Sequence, residues 1–253
     1  MNTKRLLSSL MMLIVTASLL LAACAPAVPA APAKDMSDPV TVVKSFYEAY
    51  NANDIEKAMS LTAEGYVMND PSGTYDRAGA TVQWQAVRDS GITFNQTNFV
   101  DTGNGRVTSC YEVLADGASV DKGCGNVTHV RDGKIIYDGL ENAEQIWVVQ
   151  KYYEALNAKN LELAMSFIAR DALFINPTGT YEGAKAIRES LAGLNTDGIT
   201  FDLSNFRNTD GKIIYDYKVL QSGNVLDQGT NGLTVVKDGK VVFDGTEDTF
   251  VAR

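Results

Sequence analysis

Apolar residues return every three or four positions at Val42, Val43, Phe46, Ala49 and Tyr50, and again at Val148, Val149, Tyr152, Ala155 and Leu156. That period marks one face of a helix packed on a core, so each segment is predicted to be an amphipathic helix. Asn51-Ala52-Asn53-Asp54 and Asn157-Ala158-Lys159-Asn160 interrupt the pattern, and Asn53 or Asp54 can cap the helix that follows. This second helix carries Ile55, Ala58, Met59 and Leu61, or Leu161, Ala164, Met165 and Phe167. Short strands are predicted at 66–68 and 173–175, then turns at Asp70-Pro71-Ser72-Gly73 and Asn176-Pro177-Thr178-Gly179. A third helix begins after Tyr75 or Tyr181 and runs to about Ser90 or Leu194. Beyond it the period changes to two. Strands are predicted at 92–99, 106–114, 120–130 and 135–137, and at 199–206, 212–220, 225–236 and 241–243. Asp116-Gly117, Ser222-Gly223-Asn224, Asp132-Gly133 and Asp238-Gly239 supply the hairpin turns.

The chain therefore says the same thing twice. Asn51 returns as Asn157, Pro71 as Pro177 and Gly133 as Gly239, a constant shift of 106 positions. Such a period is too long for a solenoid unit and suits a whole small domain. We read domain 1 as residues 38–143 and domain 2 as residues 144–253. Each has the order α-α-β-α-β-β-β-β, an α+β domain whose curved antiparallel sheet wraps around its helices and can leave a cavity.

This order of elements resembles the nuclear transport factor 2-like superfamily, which includes ketosteroid isomerase and SnoaL-like polyketide cyclases. The likeness rests on the Asn-Ala-x-Asp/Asn break, the Asp/Asn-Pro-x-Gly turn and the Asp-Gly-Lys hairpins at Asp132-Gly133-Lys134 and Asp238-Gly239-Lys240, all seen in both copies. It implies two tandem cones, each with an apolar pocket between sheet and helices, packed together through their sheets as an internal pseudo-dimer. It also points to Asp70 as a general base, since ketosteroid isomerase places its base in such a loop, opposite a Tyr and a protonated Asp. The matching positions in domain 1 are Phe46, which lacks a hydroxyl, and Asn126, a weaker donor. In domain 2 they are Tyr152 and Gly232, with Asn176 where the base would stand. Neither copy holds the full set, and Asn cannot abstract a proton. The same residues also suit a plain turn, in which Asp70 or Asn176 bonds the backbone and the Pro presets φ. Some family members use a pocket His. His129 is the only histidine, and alternation leaves its face open between the pocket and an interface.

Residues 1–23 read as a targeting segment: Lys4 and Arg5, then an apolar stretch, then Leu21-Ala22-Ala23-Cys24. This tail looks like a bacterial lipoprotein box, with an ordinary secretory signal that contains a Cys, or an uncleaved membrane anchor, as the alternatives. It implies cleavage before Cys24, lipidation of that thiol, and a Pro/Ala tether over 24–37 that holds the body at a membrane. The formal net charge of −9 becomes more negative once Lys4 and Arg5 leave, which argues against nucleic acid as a partner. Cys110 and Cys124 each lie seven positions from Gly117. In a hairpin centred there they fall within disulfide reach, with a free buried pair as the alternative.

One histidine and two cysteines spaced for a bridge give no metal site, and there is no phosphate-cradling Gly loop or Gly-x-Ser-x-Gly nucleophile, so no cofactor is expected. Tyr66, Trp84, Tyr111 and Tyr217 are core residues or, with Phe46, Tyr152 and Asn176, a lining for an apolar ligand. The expected function is non-catalytic binding of a small apolar ligand or an envelope protein through the cones. The alternative is an isomerase, dehydratase or cyclase with Asp70 as base and Asn126 or Tyr111 as polar support.

Overall fold

The computed structural model describes residues 37–250. The predicted leader, Cys24 and the tether up to residue 36 lie outside the described residues. Domain 1 runs α1 (Pro39–Asn51), α2 (Ile55–Ser60), β1 (Thr62–Asp70), β2 (Gly73–Asp76), α3 (Arg77–Asp89), β3 (Ile92–Asp101), β4 (Arg106–Ala115), β5 (Ala118–Arg131) and β6 (Lys134–Leu140). Domain 2 repeats it as α4 (Glu141–Asn157), α5 (Leu161–Ser166), β7 (Ile168–Asn176), β8 (Gly179–Glu182), α6 (Gly183–Thr196), β9 (Ile199–Thr209), β10 (Lys212–Gln221), β11 (Asn224–Lys237) and β12 (Lys240–Thr246), closing with a 3-10 turn at Glu247–Thr249.

Local chemistry sets these boundaries. Asp38 accepts from the Thr41 amide at 2.9 Å with Pro39 in the first helical turn, and Asp54 caps α2 through the Lys57 amide at 3.0 Å. Asn53 is left at φ 61, so Asp54 and not Asn53 is the cap. Each sheet has six strands, ordered β2-β1-β6-β5-β4-β3 and β8-β7-β12-β11-β10-β9. Every pairing is antiparallel except β1 with β6 and β7 with β12, which are parallel. The short strand expected at 66–68 is longer and folds back on β2, with Met68 opposite Tyr75. The four residues of β2 read as the end of a turn in sequence because their only partner is that one strand.

The Asp116-Gly117 turn alone would set Cys110 opposite residue 123. A bulge at Val120 shifts the register by one, because Leu114 pairs Ser119 while Val113 pairs Asp121. Cys110 then faces Cys124, and the two sulfurs are bonded. Leu226 makes the same bulge in β11.

Register also separates the two faces of the first sheet. Val107, Thr128, Asp138 and Met68 lie side by side on the inner face, against the helices. Arg106, His129, Tyr137 and Val67 lie on the outer face. The resemblance implied pairing through two sheets, but the joint is instead a helix on a sheet. Helix α4 is one turn longer at its start than α1, and that turn carries Glu144 onto the outer face of domain 1. Trp147 stacks within 4.7 Å of Tyr137 and 4.9 Å of His129. Further along, Val148, Val149, Tyr152, Ala155 and Leu156 enter the core of domain 2.

Buried charge fixes this joint. Arg106 donates twice to Glu144 (Nε to Oε1 2.7 Å, Nη2 to Oε2 2.8 Å), and His129 Nε2 meets Glu144 Oε1 at 2.5 Å. Glu144 is 0% exposed and Arg106 4%. Burial would raise the Glu144 carboxyl, but hydrogen bonds from Arg106 and His129 hold it below its ordinary range. Gly239, at φ 69, lets the β11–β12 turn approach as well; a Cβ there would stand 2.8 Å from Arg106 and 2.9 Å from Glu144. His129 is thus an interdomain residue facing away from the cone.

Candidate functional site

The first helix of each domain crosses the inner face of its sheet, so residues one step apart reach different parts of the cone. In domain 1 Phe46 joins the aromatic core, while its neighbour Tyr47 carries the hydroxyl. Tyr47 donates to Asp138 Oδ2 at 3.0 Å, and Asp138 Oδ1 accepts from Thr128 (2.8 Å) and Asn126 (3.2 Å). In domain 2 the matching Tyr153 donates to both oxygens of Asp244 (2.9 and 3.0 Å), joined by Thr234 (2.7 Å) and Tyr215 (3.2 Å). The Tyr153 and Tyr215 hydroxyls also meet each other at 3.0 Å. Each cone therefore contains a carboxyl held by a helix tyrosine and a strand threonine.

The electrostatics follow from this enclosure. Burial pushes the Asp138 carboxyl up, against the lowering effect of donors from Thr128, Asn126 and Tyr47. Burial likewise pushes Asp244 up, to about 6, despite Thr234 and its tyrosines. Tyr47, Tyr152, Tyr153 and Tyr215 are all raised, first by burial and then by these carboxylates, so they stay protonated donors.

The two cones differ in what fills them. Trp84 of α3 packs against Phe46, Tyr47, Tyr50 and Phe94 with ring centroids 5.0–6.3 Å apart, and its indole N–H reaches the Tyr66 hydroxyl at 3.4 Å. Asp138 beneath it is 4% exposed. Helix α6 gains one residue at its start, Gly183 at φ 82, so its buried positions Ile187 and Leu191 stand where Ala80 and Trp84 stand in α3. Ala172 replaces Tyr66 at the same place in β7. Leu191 and Ala172 stand for Trp84 and Tyr66, while Ile187 and Tyr215 stand for the smaller Ala80 and Ser109, so the second cone is filled by a different set of side chains. Tyr153 and Asp244 are half-buried where Tyr47 and Asp138 are buried, whereas Phe201 and Phe206 are half-buried in the same way as Phe94 and Phe99 of domain 1.

The sequence-predicted residues fall in several places. Asn126 joins the cluster, but its partner is Asp138 and not Asp70. Asp70 ends β1 and holds its turn: Oδ1 accepts from Ser72 N (2.8 Å), Ser72 Oγ (2.5 Å) and Gly73 N (3.0 Å), and Oδ2 from Gln83 (3.2 Å). Asn176 does the same through Thr178 N (2.9 Å) and Thr178 Oγ1 (2.6 Å). The turn reading accounts for both residues. Asp70→Asn is accordingly expected to cost under about 1 kcal/mol in urea unfolding, because an amide oxygen keeps the turn bonds. Phe46, Tyr66, Trp84 and Tyr152 are fully or nearly fully buried core. Tyr111 lies over Gly123, and Tyr217 donates to Asp227 at 3.3 Å. Sequence reasoning missed Tyr47, Tyr153, Asp138 and Asp244. The signal available was their identity in both copies, with an acidic residue directly after an apolar strand run.

A model of the SnoaL-like domain matches residues 43–137 and again 149–243. The chain belongs to the SnoaL-like family, in two copies. Both matches stop one residue before Asp138 or Asp244, so the family likeness does not itself speak for those carboxyls. No curated protein matches the sequence. Among solved structures the chain is similar to an NTF2-like protein of unknown function from Cytophaga hutchinsonii (15% identity, TM-score 0.37, covering 44% of this chain and 92% of that one). It is also similar to IdmH from Streptomyces antibioticus (22%, 0.33, 40% and 89%) and to an M. tuberculosis LEH-like epoxide hydrolase (15%, 0.35, 41% and 80%). Each likeness spans one SnoaL-like domain and is a likeness of fold. Among the described residues no group of three His, Cys, Asp or Glu side chains is placed to hold a metal ion, and no helix is long and apolar enough to cross a membrane.

Asp244 makes a pH-dependent prediction. Its folded pKa of about 6 lies above its ordinary 3.8, so the folded state binds the proton more tightly. This stabilisation is complete below the ordinary carboxylate range and is lost as pH rises through about 6. The stability of the wild type relative to Asp244→Asn should thus fall between pH 4 and pH 7, by at most about 3 kcal/mol given the half-buried site. Urea unfolding at the two pH values checks it; a constant difference would show that Asp244 does not titrate in this window.

Proposed function

We propose that this chain is an exported protein, lipid-anchored through Cys24, whose domain 2 cone binds a small, mostly apolar molecule without turning it over. The ligand's carbonyl or hydroxyl would bond to the Asp244–Tyr153 pair while its apolar body lies against Phe201, Leu203 and Phe206. The observation that carries this reading is the Asp244–Tyr153 pair, which is half-buried where its counterparts Asp138 and Tyr47 are buried, in a cone where Leu191 replaces the tryptophan that closes domain 1. A few convergent polar groups in an apolar, concave setting are the usual mark of a small-molecule site. The outward-facing disulfide agrees with export to an oxidising compartment.

A thermal-shift and native mass-spectrometry screen with lipids, steroids and polyketide-like ketones tests it. A ligand that stabilises the wild type should lose its effect in Leu191→Trp, which copies the closed cone, while Trp84→Phe leaves it intact. Binding unchanged by Leu191→Trp would overturn the assignment to domain 2.

The raised carboxyl of Asp244 favours a second reading, acid–base chemistry on a ketone-like substrate, with Asp244 in place of Asp70. Turnover lost in Asp244→Asn with binding retained would select it.

A further inference from the structure

The Cys110–Cys124 bridge lies on the outer face of domain 1, clear of the joint with domain 2. A groove of about 420 Å³ opens there, lined by Asn95, Thr97, Asn98, Glu112 and Lys122 beside the two half-cystines. Cys124 is exposed and Cys110 half-buried. The hairpin is not peculiar to the bridged domain. Domain 2 has the same hairpin, bulged at the matching residue, with Asp216 and Thr230 where the cysteines stand.

The neighbour of Cys110 supplies the second clue. Asn98 sits at φ 53 in β3 and points its amide Nδ2 at Cys110 Sγ, 3.7 Å away. In domain 2 Asn205, also at φ 53, donates its Nδ2 to Asp216 Oδ2 at 2.6 Å. The same backbone device thus holds a full negative charge at the position of Cys110. A thiolate formed there would meet the donor that its counterpart carboxylate already uses.

We propose that Cys110–Cys124 is an exchange site for a dithiol reductant and not a structural staple. A thiolate of the dithiol attacks Sγ of the exposed Cys124, forming a mixed disulfide as the Cys110–Cys124 bond breaks. Cys110 leaves as a thiolate, takes the hydrogen bond from Asn98, and is protonated by solvent. The second thiolate of the dithiol then attacks its own sulfur in the mixed disulfide and releases Cys124, which also gains a proton. Two electrons pass to the protein, and the dithiol ends as a disulfide. Lys122 attracts the incoming thiolate and Glu112 opposes it, so attack is favoured from the Lys122 side.

The test exposes the folded mature chain to excess dithiothreitol, quenches with an alkylating reagent and quantifies the Cys110 and Cys124 peptides by mass. The bridge is expected to reduce without denaturant, at a rate within about tenfold of that in urea. The reduced protein should keep its far- and near-ultraviolet circular dichroism. Asn98→Gly, which permits the same φ but removes the donor, should slow native reduction about tenfold. A bridge that yields only on global unfolding, or a domain 1 that unfolds on reduction, would overturn the exchange role. An unchanged rate in Asn98→Gly would overturn Cys110 as the leaving group.

Discussion

Glu144→Ala is expected to lower the stability of the folded chain by about 3–5 kcal/mol. The carboxylate is fully buried between Arg106 and His129, and its removal leaves the buried Arg106 guanidinium with only the long contact to the exposed Glu141, 3.5 Å from Nη2, in its place. Breaking one side of such a pair is far costlier than never having built it. Because the cluster joins domain 1 to the first turn of α4, its loss should also separate the unfolding of the two domains. In calorimetry a single transition should broaden or split, with the first midpoint lower by about 2–4 °C per kcal/mol. Glu144→Gln, which keeps one acceptor, should lie between. Acid should mimic the substitution: the Glu144 pKa is held low, so its contribution is present above the ordinary carboxylate range and is lost as pH falls through its lowered value. Asp244 responds with the opposite sign. A Glu144→Ala midpoint within a degree or two of the wild type would show that the joint is held by Trp147 packing alone.

Trp84→Ala carries the other large expectation, a loss of about 3–5 kcal/mol confined to domain 1. The indole touches four aromatic rings and is 7% exposed, so truncation opens a void that rings this rigid cannot close. Trp84→Leu, which makes domain 1 resemble domain 2, should cost less and leave the region around Asp138 open to solvent. Chemical denaturation measures the loss, and faster hydrogen exchange at the Thr128 and Asp138 amides measures the opening. If Trp84→Ala costs under about 1 kcal/mol, the first cone is more loosely filled than its ring distances indicate.

Most of the architecture was legible because it is written as periods. The 106-residue shift, the three-to-four spacing before Asn51 and Asn157, and the Asp-Gly turns each have one simple structural solution. The places that misled are those where position along an element decides the outcome. In α1 both members of the adjacent pairs Val42–Val43 and Phe46–Tyr47 are buried, so periodicity could not show that Tyr47, beside Phe46, brings its hydroxyl to Asp138. Asp138 and Asp244 follow apolar runs and look like strand ends, yet β6 and β12 continue past them because β5 and β11 are still pairing there. The face of His129 depended on the bulges of β5, and a single-residue slip reverses every side chain after it. Helix α6 hid its departure in the same way. One inserted residue at Gly183 puts Leu191 at the place of Trp84, a comparison that the constant shift of 106 obscures.

The extra turn of α4 also makes the two halves unequal as folding units. Domain 2 lends its opening residues to finish the back of its neighbour and receives no helix in return. Its own matching surface is closed locally, where the Phe250 ring lies 5.1 Å from Phe243 and 5.0 Å from the Lys212 ammonium. Dependence still runs both ways along this polypeptide: the earlier half reaches its finished form only once synthesis has passed Trp147, and the later half completes its core on Tyr137.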